Sequence, residues 1–216
     1  MSLGGVWWAL VRLGFRLLYN ELAWTYDLVS RVVSLGDWRT WQRAALRHLG
    51  VAPGACVLEL AYGTGDLQID LRTAGLTSVG LDLSPAMGRI ARRKLLRHGV
   101  HPALVRGRAQ ALPFASASFP AVVSTFPTGF IVEPETLREV NRVLQPGGRL
   151  VIVVNGLLTG GGALRAVLEW AYRVTGQRGP WPVALGERFQ EAGFRLQQVT
   201  ETYPRSQAIV LIAEKR

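Results

Sequence analysis

The chain has 216 residues, of which 49% are hydrophobic and 19% charged, enough for one well-buried α/β domain with a small helical addition, short for two, and too apolar for a disordered chain. The single cysteine, Cys56, excludes an intramolecular disulfide, and with three scattered histidines (His48, His98 and His101) no metal site is legible. The formal net charge of +10 suits anionic partners or simply solubility.

Only two of the 25 basic residues, Lys94 and Lys215, are lysines. A GC-rich genome alone would produce that bias. The one local concentration of charge is Arg89, Arg92, Arg93, Lys94 and Arg97. Cys56 lies in an apolar strand pattern and reads as a buried structural thiol.

Residues 1 to about 45 read as a helical cap, and residues 46–216 as the main domain. Val6 to Leu18 is apolar, but too short for a membrane span of about 20 residues and interrupted by Arg12 and Arg16. With no cleavage site after it, a cytoplasmic protein is expected. A second helix is predicted from about Tyr26 to Ser34, punctuated by Gly36-Asp37, and a third begins near Trp38.

From Pro53 the rhythm changes. Cys56 to Leu60 is a short apolar run ending in a glycine turn, the first strand. A helix broken at Gly75 follows, then a strand from Ser78 to Asp82 and a helix from Pro85 to about Arg97. Leu104-Val105 and Ala121 to Ser124 read as the third and fourth strands. A helix from Pro134 to Leu144 ends at Pro146-Gly147-Gly148, and Arg149 to Val154, nearly all apolar, is a fifth strand buried on both faces. A helix near Leu185 to Ala192 precedes two runs, Arg195 to Thr202 and Gln207 to Ala213, close enough to form an antiparallel pair at the sheet edge. This order predicts an α/β, Rossmann-like, doubly wound sheet, mostly parallel, finished by that pair.

The segment from Glu59 to Leu67 joins the first strand to the first helix. Glycines at 63 and 65 let the backbone pass close to a ligand, and the helix amino terminus behind them offers unpaired N–H groups. Taken alone, such a turn serves packing as readily as binding. Asp82 ends the second strand at the edge of the same crevice, where a carboxylate accepts both hydroxyls of a ribose; the competing role, capping the helix at Pro85, suits Ser84 better. A dinucleotide fingerprint needs G-x-G-x-x-G, whereas Ala61, Gly63 and Gly65 occupy alternate positions.

Four pieces in order carry a family resemblance: Glu59 to Asp66, Gly80 to Met87, Ala111 to Phe114, and Leu137 to Gly148. With Tyr26-Asp27 and Ser34 to Asp37, they resemble the motifs of class I S-adenosylmethionine-dependent methyltransferases, most of all the ubiquinone/menaquinone C-methyltransferase type and its small-molecule and phospholipid relatives. The resemblance covers about residues 20 to 155. It implies that Glu59 and the backbone of Ala61, Tyr62, Gly63, Thr64 and Gly65 hold the methionine part of S-adenosylmethionine, that Asp82 takes the ribose, and that Leu83 and Met87 flank the adenine. Two departures stand out. Arg108 replaces the aspartate such families usually place near the adenine amino group, so that contact passes to the backbone of Ala109 and Gln110. Pro120 stands where an aspartate usually follows the Phe119 position.

Methyl transfer from a sulfonium is an in-line displacement that needs alignment and exclusion of water more than a base. Ser124 and Thr125, at the lip of the fourth strand, border the expected methyl position. Tyr26 (with Tyr19 nearby in sequence) is a lid residue or a core residue. Glu133 and Glu135 read as favouring the dipole at a helix start rather than as catalysts. The tryptophan-rich start and the segment from Leu157 to Val174, with its Gly160-Gly161-Gly162 hinge, form either a greasy acceptor entrance or ordinary core. The expected acceptor is a small hydrophobic or lipid-like molecule, with possible interfacial membrane contact through residues 1–18. A nucleic-acid acceptor rests only on the charge, and cofactor binding without turnover only on Arg108 and Pro120.

Overall fold

The computed structural model describes residues 13, 14, 17, 21–159 and 185–216. The expected helix over Val6 to Leu18, Tyr19, and most of the Leu157–Val174 segment with its three glycines lie outside them.

Seven strands form one sheet: β1 (Cys56–Leu60), β2 (Thr77–Asp82), β3 (Leu104–Arg106), β4 (Phe119–Thr125), β5 (Leu144–Leu158), β6 (Phe194–Tyr203) and β7 (Ser206–Lys215). Their order is β3-β2-β1-β4-β5-β7-β6. The pairs among β1 to β5 are parallel, and β7 runs antiparallel to both β5 and β6. The last strand is thus inserted between β5 and the edge strand β6. Among the described residues the α-helices are α1 (Tyr26–Val33), α2 (Trp38–Ala44), α3 (Asp66–Thr73), α4 (Pro85–Arg97), α5 (Pro134–Val143) and α6 (Leu185–Glu191).

Residues alternate between two cores, as a sheet covered on both faces requires. Val122, Leu150 and Ile152 pack with Leu137 and Val140 of α5 and Phe189 of α6. Ala121, Val123, Val151 and Val153 pack on the other face with Trp41 and Ala44 of α2 and with Leu67 and Leu71 of α3. The indole of Trp41 lies against the backbone of Gly156, where an added Cβ would come within 2.0 Å of the ring, and its Nε1–H donates to Ser206 Oγ at 2.9 Å. Asp70 of α3 is 4% exposed and takes both Arg39 and Arg43 of α2. The third predicted helix is therefore anchored in the core by aromatic packing and a buried carboxylate.

Three expectations need correction. β5 does not begin at Arg149: extended pairing starts at Leu144, opposite Phe119, and shifts register before Ala121 meets Arg149. It also runs on to Leu158, because β7 continues to pair with it beyond the end of β4, so Leu157 belongs to the sheet. Cys56, at the start of β1, is only partly buried. Pro120 falls at the β4 register shift, a position that tolerates the missing N–H.

Candidate active site

In this strand order the chain reverses direction across the sheet between β1 and β4, and the crevice at their carboxyl ends is where open α/β sheets bind ligands. The backbone there leaves ordinary conformations. Ala61, Gly63 and Gly65 have φ of 57°, 54° and 85°, in the left-handed region that glycine enters without strain and alanine does not. A Cβ on Gly63 would meet nothing within 4 Å, so this residue faces open space, whereas one on Gly65 would stand 3.0 Å from the Cβ of Ala91 in α4. Gly63 opens the turn and Gly65 lets the helices close behind it.

Asp82 holds the turn from the side. Its Oδ2 accepts from the Gly63 N–H at 2.9 Å, and its Oδ1 accepts from the Ser84 N–H at 2.8 Å. Burial, only partly offset by those N–H groups, raises its pKa above the ordinary aspartate value. A carboxylate has about four acceptor positions, so acceptor capacity beyond its backbone partners remains for a ribose hydroxyl. Capping of α4 is done by Ser84, which accepts from the Met87 N–H at 3.2 Å.

Below the turn, Glu59 is 1% exposed and accepts from Gln68 Nε2, and Gln68 in turn accepts from Ser78 Oγ. Burial pushes its pKa up to about 8. Tyr62 is also turned inward. Its ring covers Gly80, where a Cβ would lie 2.6 Å from Cδ1, and burial pushes its phenol up to about 12. Its carbonyl accepts from the Gly65 N–H at 3.0 Å, closing the turn.

Across the switch point, Ser124 is fully buried and donates to the Leu60 carbonyl at 2.9 Å, pinning the end of β4 to the end of β1. Thr125 is 9% exposed and accepts from Gln42 Nε2 of α2 at 3.2 Å. Phe126 follows with φ of 50°. Its ring lies on Trp38 at 4.1 Å between centroids, and Tyr26 meets the edge of Trp38 at 6.3 Å. Tyr26 and Thr125 therefore belong to one neighbourhood, joined by an aromatic chain and by α2.

On the adenine side, Leu83 is 56% exposed at the rim, while Met87 is 1% exposed and packed with Ala23 and Ala86. Ala109 is buried, and the Gln110 side chain donates to Glu133 at 2.6 Å. Glu133 thus precedes α5 without a side-chain bond to it, while Glu135, in the first turn, pairs with Arg138. Arg108 is exposed. Pro120 sits at the amino end of the central strand β4, at the opposite end of the strands from the glycine turn.

Two groups escaped the sequence reading. The loop from Ala111 to Phe114 is held by α5: Arg142 donates to the carbonyls of Leu112 and Phe114, and Glu139 accepts from the Leu112 N–H. Lys94 of α4 donates to Asp27 of α1, to Thr64 of the turn and to Asp66 at the start of α3. Among the described residues no group of His, Cys, Asp and Glu is placed to hold a metal ion, and no helix is long and apolar enough to cross a membrane.

The fold is the Rossmann-like fold of the solved methyltransferases. Solved structures share the fold: geranyl diphosphate methyltransferase in complex with GPP and sinefungin (TM-score 0.64, 17% identity, 82% of this chain and 78% of that one), and Haemonchus contortus phosphoethanolamine N-methyltransferase 2 (TM-score 0.62, 17% identity, 83% and 53%). The sequence profile of the ubiE/COQ5 methyltransferase family matches residues 15–207, and the chain belongs to that family. It is similar to the demethylmenaquinone methyltransferase of Thermus thermophilus (41% identity over 140 residues, 63% of each chain). It is also similar to the ubiquinone/menaquinone biosynthesis C-methyltransferase of Hahella chejuensis (37% over 142 residues, 63% of this chain and 57% of that one). The matched stretch spans 56% of the demethylmenaquinone methyltransferase of Renibacterium salmoninarum and 55% of that of Beutenbergia cavernae.

Proposed function

We propose that the protein transfers a methyl group from S-adenosylmethionine to a quinone precursor, a hydrophobic ring reached from a membrane surface. The observation that carries the reading is the left-handed turn at Ala61, Gly63 and Gly65, tied by the Gly63 N–H to the carboxylate ending β2. The open space at Gly63 and the spare acceptor positions of Asp82 fit the cofactor. When bound, S-adenosylmethionine supplies an electrophilic methyl group. The turn backbone would hold its methionine part above Glu59, Asp82 its ribose, and Leu83 with the backbone of Ala109 and Gln110 its adenine. Thr125 and Ser124 would border the methyl group.

The relatives named for menaquinone and ubiquinone support a ring acceptor. So do the closely packed rings of Trp38 and Phe126 beside Thr125, with Tyr26 as the lid that excludes water. Contact with a membrane surface is supported by α1 and its approach, where Trp24, Leu28, Val32 and Leu35 are each more than half exposed, together with the tryptophans of residues 1–18 and the positive charge. The protein would work in the cytoplasm at that surface.

The test is transfer of labelled methyl to a reduced demethylated naphthoquinol and, in parallel, to a cell extract partitioned between organic solvent, protein and nucleic acid. Label in the naphthoquinol and the organic phase supports the reading. Label in phospholipid or RNA, with none in the quinol, overturns the acceptor, and S-adenosylhomocysteine binding with no transfer leaves a cofactor-binding protein.

A further inference from the structure

Lys94 stands out by composition before it does so by geometry. This chain uses arginine almost everywhere a cation is wanted, keeping only two lysines among 25 basic residues. At Lys94 the ammonium has three acceptors: Asp27 Oδ2 at 2.6 Å, Asp66 Oδ1 at 3.0 Å and Thr64 Oγ1 at 3.1 Å. An ammonium has three donors around one point, so all three are used. A planar guanidinium presents its donors in one plane and cannot converge on three acceptors grouped around a single point. The other lysine follows the same pattern, with Lys215 Nζ donating to the carbonyls of Asn141 and Leu144 at 2.6 and 2.7 Å.

The three partners come from different elements. Asp66 opens α3, Thr64 lies between the two glycines of the ligand turn, and Asp27 belongs to α1. The hydroxyl of Thr64 also donates to Asp27 Oδ1 at 2.5 Å, closing a ring of three side chains. Thr64 is 4% exposed, the Lys94 side chain 18% and that of Asp66 23%, while Asp27 is 45% exposed, so water screens the Lys94–Asp66 side of the junction less than a surface pair and reaches the Asp27 side. Tyr26, next to Asp27, meets the Trp38 ring edge-on, and Trp38 in turn packs on Phe126. A continuous path of contacts thus runs from the turn to α1 and on to the Trp38 and Phe126 rings.

We propose that Lys94 is a positioning residue that couples the cofactor turn to the N-terminal cap, so that filling the turn orders α1 over the acceptor site. The coupling rests on the cofactor reading for its ligand but not for its contacts. It is tested on the full chain with S-adenosylhomocysteine as probe, by calorimetry and by amide hydrogen exchange with and without the probe. In the wild type the probe slows exchange in α1 as well as in the turn. In Lys94→Met and in Asp27→Asn the dissociation constant rises about tenfold or more, and the protection of α1 by the probe is lost while the β4 and β5 amides keep theirs. Lys94→Arg behaves like Lys94→Met. Wild-type protection of α1 in the Lys94→Met protein overturns the coupling, and full rescue by arginine overturns the geometric reason for a lysine. Should the wild type not bind the probe, the cofactor reading fails instead. The junction is then read without ligand: α1 and residues 63–66 exchange faster together in both variants, and unchanged exchange refutes it. Should Lys94→Met not fold, Thr64→Val carries the same comparison.

Discussion

Ala61 stands in a conformation that suits glycine, with φ of 57°. The left-handed region costs a residue with a Cβ about 1–2 kcal/mol, partly offset by the backbone entropy that glycine loses on folding. Ala61→Gly is therefore expected to gain up to about 1 kcal/mol, a rise of about 2–4 °C in Tm for a domain of this size, read by thermal unfolding. Asp82→Asn has the opposite character. One amide oxygen still accepts from a backbone N–H, but the amide nitrogen faces the other N–H as a second donor, and the charge proposed to meet the ribose is gone. A loss of about 1.5–3 kcal/mol is expected, about ten- to a hundredfold in S-adenosylhomocysteine affinity, read by calorimetry; unchanged affinity would remove Asp82 from the site.

Glu59 makes stability depend on pH. Its folded pKa of about 8 lies above the ordinary 4.5, so between those values the folded protein holds a proton that the unfolded chain has released. Stability at this position is full below the unfolded pKa, falls as pH rises from about 4.5 to 8, and is flat beyond. The loss is on the order of 1 kcal/mol per pH unit inside that window. Glu59→Gln should flatten that slope in urea unfolding at pH 5, 6.5 and 8. Parallel slopes in the two proteins would show that the buried carboxyl does not titrate there.

At the scale of elements, the Ala111–Phe114 and Leu137–Gly148 motifs read as separate signatures in the sequence and prove to be one unit. Arg142 reaches two carbonyls of the loop while Glu139 holds both the loop and Arg142. Arg142→Lys keeps the charge but cannot span both carbonyls and Glu139 at once. It should cost about 1–2 kcal/mol and speed amide exchange at Leu112 without moving that of β1. Equal exchange in both proteins would mean that the loop is held by packing, chiefly the edge-on contact of Phe114 with Phe119. The strands from Cys56, Ser78 and Ala121 were legible because each is a short apolar run bounded by glycine or proline. The full length of β5 was not, since Asn155 and Gly156 interrupt the apolar pattern and are held extended by β7, whose segment lies more than 50 residues further on. The glycine turn and Asp82 were legible for a related reason: local backbone needs leave local marks. The Lys94 junction joins ordinary charges up to 67 residues apart. Its one signal was the rarity of lysine.

For the whole molecule, the arrangement places the crevice, the aromatic rings of Tyr26, Trp38 and Phe126, and the exposed apolar residues of α1 in connected structure. Trp24, in the short helical turn Ala23–Thr25 that leads into α1, is 75% exposed, and Leu28 in the first turn of α1 is 64% exposed. Residues this exposed add little to folding, but burying each at a lipid interface would gain on the order of 1–2 kcal/mol. Trp24→Glu with Leu28→Glu should lower partitioning onto vesicles containing anionic lipid about tenfold or more with Tm nearly unchanged, and deleting residues 1–18 should abolish it. Salt separates the contributions: screening weakens the arginine attraction over a Debye length of about 8 Å at physiological ionic strength but leaves apolar insertion in place. Binding that survives the double glutamate variant yet vanishes in salt would make the contact electrostatic, carried by the arginines alone. Binding lost in the variant at every salt concentration would place α1 in the interface, bringing a lipid-dissolved acceptor to the side of the crevice that Thr125 borders.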